Sequence, residues 1–369
     1  MRRQILVAIT LALSLLLIAP AANASPYSDP DWYVDQTRLS EAHALSRGNG
    51  TVVGVVDTGV DETHPQLEGR VLQGATVTNE GVETDGAHDT NGHGTAMAGL
   101  IAAGHSVDTP LVGVAPQAEI LPVRVEPDAD GVLDHKLVYK GVRWAIDHGA
   151  RVVNLSLAGH PTATSEWKSE LLHYAIAHDV LIVAAVGNKD DGYDTVGEPA
   201  AIPGVIAVSG LARDGGLWSG SVMGDSVVLC APAEDLPHIR RDGEVKPASG
   251  TSAASALVSG VAALVISRYP DATVGDVASR LIDTAVDRGP AGRDSRFGYG
   301  SVDAYAALAD GVDAGGDYPL ELPAAVANAA KPSDSRTWWV AVPLGLSVMG
   351  GGGAAVWLMR RLRWATRRV

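Results

Sequence analysis

The chain has 369 residues, of which 46% are apolar and 19% are charged, and its formal net charge at pH 7 is −15. This composition fits a packed globular protein, and the length predicts either two domains or one large α/β domain with tails. The acidic balance disfavours nucleic acid and anionic lipid as partners, because both carry negative charge.

The N-terminus has the three-part pattern of a secretory signal peptide. Basic residues, Arg2 and Arg3, precede an apolar run from Ile5 to Ala19, and an A-x-A sequence follows. We therefore predict that residues 1–24 are removed. The alternative is an N-terminal membrane anchor, but a run of about 15 residues is short for a span that needs roughly 20.

Beyond this segment, apolar runs rich in β-branched residues alternate with helical patterns. Strands are predicted at Thr51–Val56, Glu119–Val125, Arg151–Leu157, Val180–Val186, Val205–Val208 and Val227–Cys230. Helices are predicted at Leu39–Ser46, His93–Ala103, Asp134–His148, Glu166–His178, Ser252–Arg268, Val274–Thr284 and Val302–Leu308. Nearly continuous apolar strands with helices between them predict an α/β fold, with a doubly wound, mostly parallel sheet covered by helices on both faces. We assign this domain to residues 51–310, after an N-terminal extension of residues 25–50.

The C-terminal part has a different composition. Residues 311–337 are rich in Gly, Ala, Pro and Asp and are predicted to form a linker. Trp338–Met359 contains 22 residues without a charge, and a helix of that length spans about 33 Å, enough to cross a bilayer. A buried core helix is the alternative. The arginine-rich tail, residues 360–369, is predicted to be cytoplasmic, which places the domain on the extracytoplasmic side of a cell membrane.

Cysteine and metal chemistry are weakly indicated. Cys230 is the only cysteine, so a buried apolar role is expected and no disulfide can form within the chain. The acidic loop with Glu80, Glu83, Asp85 and Asp89 could bind calcium, but its spacing matches no dedicated calcium loop. A solvated loop is the simpler interpretation, and we predict no metal site and no cofactor.

Three short sequences carry the residues of an acyl-transfer triad, and each lies at the edge of a predicted element. Asp57 ends an apolar strand in VVDTG, His93 precedes an apolar helix in NGHGT, and Ser252 begins another in SGTSAAS. A serine hydroxyl needs a base to accept its proton, and a carboxylate orients that base. Taken singly, Asp57 could end a strand in a turn and Ser252 could be only a helix N-cap.

Asn188 follows the buried strand VLIVAAVG and could stabilise a tetrahedral oxyanion through its side-chain amide. The backbone N–H of Ser252 is the predicted second donor of this oxyanion hole. On its own, an asparagine after a glycine could equally form a turn.

These sequences resemble those of the subtilases, the subtilisin-like serine peptidases, over about residues 51–308. The resemblance implies an endopeptidase that hydrolyses polypeptides and binds the substrate backbone as an added strand. It further implies substrate-binding roles for Ser156, Leu157, Ala158, Gly159, Ala185, Val186, Gly187 and Gly197. Gly197 is expected to leave a deep apolar pocket for large side chains. Two departures from the family pattern are Ala256, where proline is usual, and Ala158, where glycine is usual.

The order of a signal peptide, a subtilase domain, a linker, one C-terminal span and a basic tail resembles the mycosins, the membrane-anchored proteases of actinobacterial type VII secretion. That resemblance implies exported proteins as substrates and secretion membrane components as partners. An alternative is a scaffold that stabilises the secretion complex, with proteolysis secondary. A third interpretation is an acyl-transfer enzyme of the same fold that is not a peptidase.

Overall fold

The computed structural model describes residues 31–84, 88–104, 111–125, 134–161, 166–312 and 315–322. The predicted signal peptide, transmembrane segment and basic tail lie outside these residues, as does most of the predicted linker. Most buried apolar residues of the described part form one large core around a central sheet, and a small second cluster contains Leu211, Cys230 and Phe297.

The strands are β1 (Val52–Asp57), β2 (Ala75–Val77), β3 (Val82–Glu83), β4 (Glu119–Val125), β5 (Val152–Leu155), β6 (Leu181–Ala185), β7 (Ile206–Leu211), β8 (Leu229–Pro232), β9 (Leu236–Ile239) and β10 (Val245–Ala248). The helices are α1 (Trp32–Gln36), α2 (Leu39–Ala42), α3 (His93–Ala102), α4 (His135–Asp147), α5 (Glu166–Ala177), α6 (Thr251–Arg268), α7 (Val274–Asp283) and α8 (Ala304–Leu308). Short 3₁₀ turns lie at Pro65–Leu67 and Lys189–Asp191.

The central sheet has the order β3-β2-β4-β1-β5-β6-β7-β8, and every neighbouring pair except β2 and β3 is parallel. Helices α3 and α6 contact each other and the sheet, and α4 and α5 contact each other and strands of the same sheet. The predicted α/β fold with a mostly parallel sheet is confirmed. Strands β2, β3 and β4 lie on one side of β1 and strands β5 to β8 on the other, so the strand order reverses at β1. Ligands bind at such a switch point of a parallel sheet.

Helix α6 passes through the core rather than across a membrane. It is the one helix among the described residues that is long and apolar enough to span a bilayer, yet 83% of it is buried in the protein. A helix that is apolar on all sides needs packing partners all round, and α6 contacts strands β5, β6, β7 and β8 and helix α3. Its first turn carries Ser252, so the packing of α6 fixes the position of that residue.

A buried asparagine joins α6 to the sheet. Asn154 on β5 accepts hydrogen bonds from the hydroxyls of Ser255 and Ser259, at 2.9 and 3.1 Å. Its amide donates to the hydroxyl of Ser156 (2.9 Å), which in turn donates to the carbonyl oxygen of Ser252 (2.9 Å). These bonds satisfy polar groups that would be costly to bury unpaired, and they set the register of α6 on β5.

Both ends of the described chain contact the domain. Tyr33 in α1 is fully buried, and its hydroxyl exchanges two hydrogen bonds with the backbone of Val112. Tyr318, which falls in the segment predicted as a linker, donates to the carbonyl oxygen of Gly204 at 2.6 Å. The packed unit therefore extends beyond the domain predicted at residues 51–310.

Cys230 lies on β8 and is fully buried beside Leu211 and Phe297. Burial raises the pKa of its thiol, so the side chain stays protonated and behaves as a small apolar group.

We predict that Asn154→Ala lowers the free energy of unfolding by about 2–3 kcal/mol, because two buried serine hydroxyls lose their acceptor. Chemical denaturation of the purified protein measures this change. The control is Asn49→Ala, which removes an exposed side chain and is expected to shift the free energy by less than about 0.5 kcal/mol. Equal effects of the two variants would contradict a structural role of Asn154.

Candidate active site

A cleft of about 760 Å³ lies where β1 and β6 end and where α3 and α6 begin. Asp57, His93, Ser252 and Asn188 all line it. Four residues that are far apart in the chain therefore face one space, at the carboxyl ends of parallel strands.

Asp57 and His93 form a direct pair. The Nδ1 atom of His93 lies 2.7 Å from Oδ1 of Asp57. The Asp57 side chain is 2% exposed and the His93 side chain 37% exposed. A carboxylate can only accept, so Nδ1 carries the proton and Nε2 of the neutral ring is left as an acceptor.

The charge environment favours the protonated form of His93. Burial lowers the pKa of the imidazole, but the negative charge of Asp57 and its hydrogen bond outweigh this effect. The carboxylates of Asp89 and Asp191 act in the same direction, so the pKa of His93 lies above its ordinary value of 6.5.

The loop before α3 is organised by the buried carboxylate of Asp89. Its Oδ1 atom accepts hydrogen bonds from the backbone N–H groups of Asn91 (3.0 Å) and Gly92 (2.8 Å) and from the Thr58 hydroxyl (3.0 Å). Its Oδ2 atom accepts from the backbone N–H and the hydroxyl of Thr95, at 3.0 and 2.6 Å. One side chain thus ties the end of β1 to the start of α3.

The backbone beside His93 passes close to the end of β1. The N–H of Gly94 donates to the hydroxyl of Thr58 at 3.0 Å. A methyl group on Gly94 would lie 2.0 Å from the carbonyl oxygen of Gly59, so only glycine fits at this position. This approach brings the imidazole of His93 to the carboxylate of Asp57.

Ser252 lies in the first turn of α6, after Gly250 and Thr251. Its hydroxyl donates to the carbonyl oxygen of Ser156 at 3.2 Å, and within the described chain it makes no hydrogen bond to His93. The backbone N–H groups of a first helical turn have no partner inside the helix. They provide donors and a partial positive charge beside the hydroxyl.

Asn188 contacts both the start of α6 and an acidic neighbour. Its Oδ1 atom accepts hydrogen bonds from the backbone N–H and the hydroxyl of Thr251, both at 2.9 Å. Its amide donates to Oδ2 of Asp191 at 2.9 Å. The carbonyl side of this amide is therefore held by α6, which directs the donor side toward the cleft that Asn188 lines.

The structure brings five of the eight predicted substrate-binding residues to the cleft: Ser156, Leu157, Ala158, Ala185 and Gly187. The other three do not line it. Gly159 exchanges two backbone hydrogen bonds with Glu198, at 2.8 and 2.9 Å. Val186 and Gly197 are buried and are joined by a hydrogen bond from the Gly197 N–H to the Val186 carbonyl oxygen.

Two parts of the cleft wall were missed by sequence reasoning. The antiparallel pair β9–β10 contributes residues 238–242 and 248, and Arg241 donates to the carbonyl oxygen of Thr90 at 2.7 Å. Asp191 and Tyr193 also line the cleft. Both follow Asn188 in a loop without periodicity, where the only signals were polar and aromatic side chains near a site residue.

The carboxylate of Asp89, in the acidic loop, is bound by the protein itself. Both oxygens of Asp89 are occupied by internal hydrogen bonds, so its interpretation as a solvated acid was wrong. Asp85 lies outside the described residues. Across the described ranges, no group of three or more His, Cys, Asp or Glu side chains is arranged to hold a metal ion.

Comparison with known proteins identifies the family. Residues 48–300 match the Subtilase family, peptidase S8. Subtilisin DY of Bacillus licheniformis is 33% identical over 66% of this chain and 86% of its own length. Fervidolysin of Fervidobacterium pennivorans is 34% identical over 71% of this chain, and the match spans 41% of that longer protein.

A solved structure agrees with these matches. The solved structure of the MycP3 protease from the type VII (ESX-3) secretion system, a mycosin, superimposes on this chain with a TM-score of 0.64 and 30% sequence identity. The alignment covers 77% of this chain and 90% of that chain. The chain therefore belongs to the subtilase family and is a serine endopeptidase.

Proposed function

We propose that Asp57, His93 and Ser252 form the catalytic triad of this endopeptidase. The observation that carries the proposal is the 2.7 Å contact between the buried carboxylate of Asp57 and Nδ1 of His93, in a cleft that Ser252 also lines. The bond to Asp57 leaves Nε2 as the atom that accepts a proton.

In the proposed reaction, Nε2 of His93 accepts the proton of the Ser252 hydroxyl as Oγ attacks the carbonyl carbon of the scissile bond. The hydroxyl first leaves its present acceptor, the carbonyl oxygen of Ser156. His93 then donates the proton to the leaving amine, and water hydrolyses the acyl enzyme with His93 acting as base again. Asp57 stabilises the imidazolium that forms in each half-reaction.

The negative charge on the tetrahedral intermediate needs donors that are already oriented. We assign this role to the side-chain amide of Asn188 and the backbone N–H of Ser252. Support comes from the two hydrogen bonds that Thr251 donates to Asn188, because they hold its amide beside the first turn of α6.

We further propose that the enzyme is anchored in the cell membrane by residues 338–359, with its domain extracytoplasmic and its C-terminus cytoplasmic. The charge-free apolar segment and the arginines that follow it support this topology. The similarity to MycP3, a protease from a type VII secretion system, supports exported polypeptides as substrates and secretion components as partners.

Ser252→Ala is expected to abolish proteolysis and labelling by a fluorophosphonate, because the nucleophile is removed. Labelling followed by gel fluorescence measures the loss, and Ser267→Ala, a serine at the other end of α6, is the control that keeps the label. A Ser252→Ala variant that is still labelled would falsify the assignment. In cells, unchanged export with this variant would favour a scaffolding role, whereas loss of export would make proteolysis central.

Asn188→Ala is expected to lower turnover by about 10²–10³, the loss found when the corresponding asparagine of subtilisin is removed. Steady-state kinetics should show the effect in kcat, since the amide acts on charge that develops in the transition state. Denaturation of the same variant reports how much the lost acceptor for Thr251 destabilises α6. An unchanged kcat would exclude Asn188 from the oxyanion hole.

The value of kcat/KM is expected to rise with increasing pH, with an apparent pKa above 6.5. The base must be neutral to accept a proton, and the pKa of His93 is raised. Asp191→Asn is expected to move this rise to lower pH, since one of the charges that raise the pKa is removed. Asp190→Asn is the matched control, as it removes the neighbouring exposed charge. Equal profiles for the two variants would show that Asp191 does not act on His93.

A further inference from the structure

Tyr193 bridges the two walls of the cleft beside Ser252. One wall is formed by residues 156–158, and the other by Ala185 and Gly187. The hydroxyl of Tyr193 donates to the carbonyl oxygen of Ala158 in the first wall at 2.5 Å. Its ring lies against Gly187 in the second wall, where an added methyl group would be 3.3 Å from the ring atom Cγ. The ring therefore spans the gap into which a substrate side chain would insert.

The floor of this gap is also filled. A methyl group built on Gly197 would lie 2.9 Å from Cβ of Ala158 and 3.1 Å from the carbonyl oxygen of Gly159. The space that glycine leaves at position 197 is thus occupied by the methyl group of Ala158. This contact explains why Gly197 does not line the cleft, and it removes the depth that was expected from the sequence.

Tyr193 is held in place from a second side. Its ring packs on the imidazole of His160, with the centroids 5.2 Å apart. Burial and the negative charge of Asp191 raise the pKa of Tyr193, so its hydroxyl stays protonated and remains a donor to Ala158. The ring is thus fixed by its hydroxyl at one end and by packing on its faces.

We propose that Tyr193 determines the primary specificity of the enzyme by restricting the residue on the N-terminal side of the scissile bond to small side chains such as Gly, Ala and Ser. The proposal rests on the proposed function, since it places that residue between the two walls next to Ser252. It replaces the expectation of large apolar residues. A well-packed wall rejects an oversized side chain because the ring or the backbone must move to admit it.

The test compares two peptide substrates that differ only in this residue, Ala or Phe. The wild-type protein is expected to cleave the Ala peptide with a kcat/KM about 10-fold to 100-fold higher, of the order of the discrimination that one methylene group gives in a hydrophobic pocket. Tyr193→Ala is expected to reverse the order in favour of Phe. Tyr193→Phe keeps the ring and removes the hydroxyl, so the preference for Ala should persist. Tyr174→Ala, a tyrosine on α5 outside the cleft, is the control that keeps the wild-type ratio.

Binding of the same peptides to the Ser252→Ala variant, measured by fluorescence anisotropy, examines the pocket without catalysis. Tighter binding of the Ala peptide, lost when Tyr193→Ala is added, supports the proposal. Equal use of both peptides by the wild-type protein, or a ratio that Tyr193→Ala leaves unchanged, overturns it. An enzyme that cleaves neither peptide speaks against the proposed function, and the order of binding then decides the role of Tyr193 separately.

Discussion

The buried carboxylate of Asp89 holds the end of β1 against the start of α3, beside the hydrogen bonds that His93 and Gly94 donate to Asp57 and Thr58. It accepts five hydrogen bonds, which come from Asn91 and Gly92 in the turn before α3, from Thr95 in the first turn of α3 and from Thr58. A buried carboxylate with fewer partners would be costly. The arrangement that satisfies Asp89 is also the one that brings His93 to Asp57, so the stability of this junction and the geometry of the site are inseparable.

The second junction, between the sheet and α6, is also held by hydrogen bonds to a polar side chain, here between neutral groups. Asn154 binds the hydroxyls of Ser255 and Ser259 inside the core, and Asn188 binds Thr251 at the helix start. Asn188 is both a cap for α6 and the proposed oxyanion donor. Its carbonyl oxygen accepts hydrogen bonds from the helix that carries Ser252, so the amide of Asn188 and the hydroxyl of Ser252 keep a fixed position relative to each other.

The sequence predicted the parts of this site that are encoded locally. Asp57, His93 and Ser252 each end a recognisable strand or begin a recognisable helix, and the order of the motifs indicates that they meet. The strands β4 and β5 and helix α6 were predicted to within a few residues because they are mostly apolar and buried. Short elements such as β9 and β10 carry proline and charged residues without a clear alternation, so their pairing depends on tertiary contacts that no local pattern reveals.

The misread residues have a different cause. Asp89 lies among acidic neighbours in a glycine-containing loop, and composition alone indicates a solvated segment. Its burial depends on donors supplied by Thr58 and Thr95 from two other elements. Gly197 indicated a deep pocket because glycine leaves space, but Ala158 on another segment occupies that space. In both cases the sequence identifies a hydrogen-bond acceptor or an unfilled space at one residue, and only the fold shows which residue from another segment contacts it.

Polar groups of the proposed active site form hydrogen bonds with one another, and these bonds affect how a peptide substrate binds. The hydroxyl of Ser252 donates a hydrogen bond to the carbonyl oxygen of Ser156, and that of Tyr193 donates to the carbonyl oxygen of Ala158. The amide of Asn188 donates to the carboxylate of Asp191. In the proposed binding mode, an extended peptide pairs with residues 156–158 and offers an N–H group to the carbonyl oxygen of Ser156. The bond from substrate to Ser156 then replaces the internal one from the Ser252 hydroxyl, so its net contribution to ground-state binding is small. In the proposed mechanism, displacement of the Ser252 hydroxyl frees it to donate to His93, and the amide of Asn188 gains most when its partner becomes a full oxyanion. Such a mechanism directs binding energy to the transition state rather than to tight substrate binding.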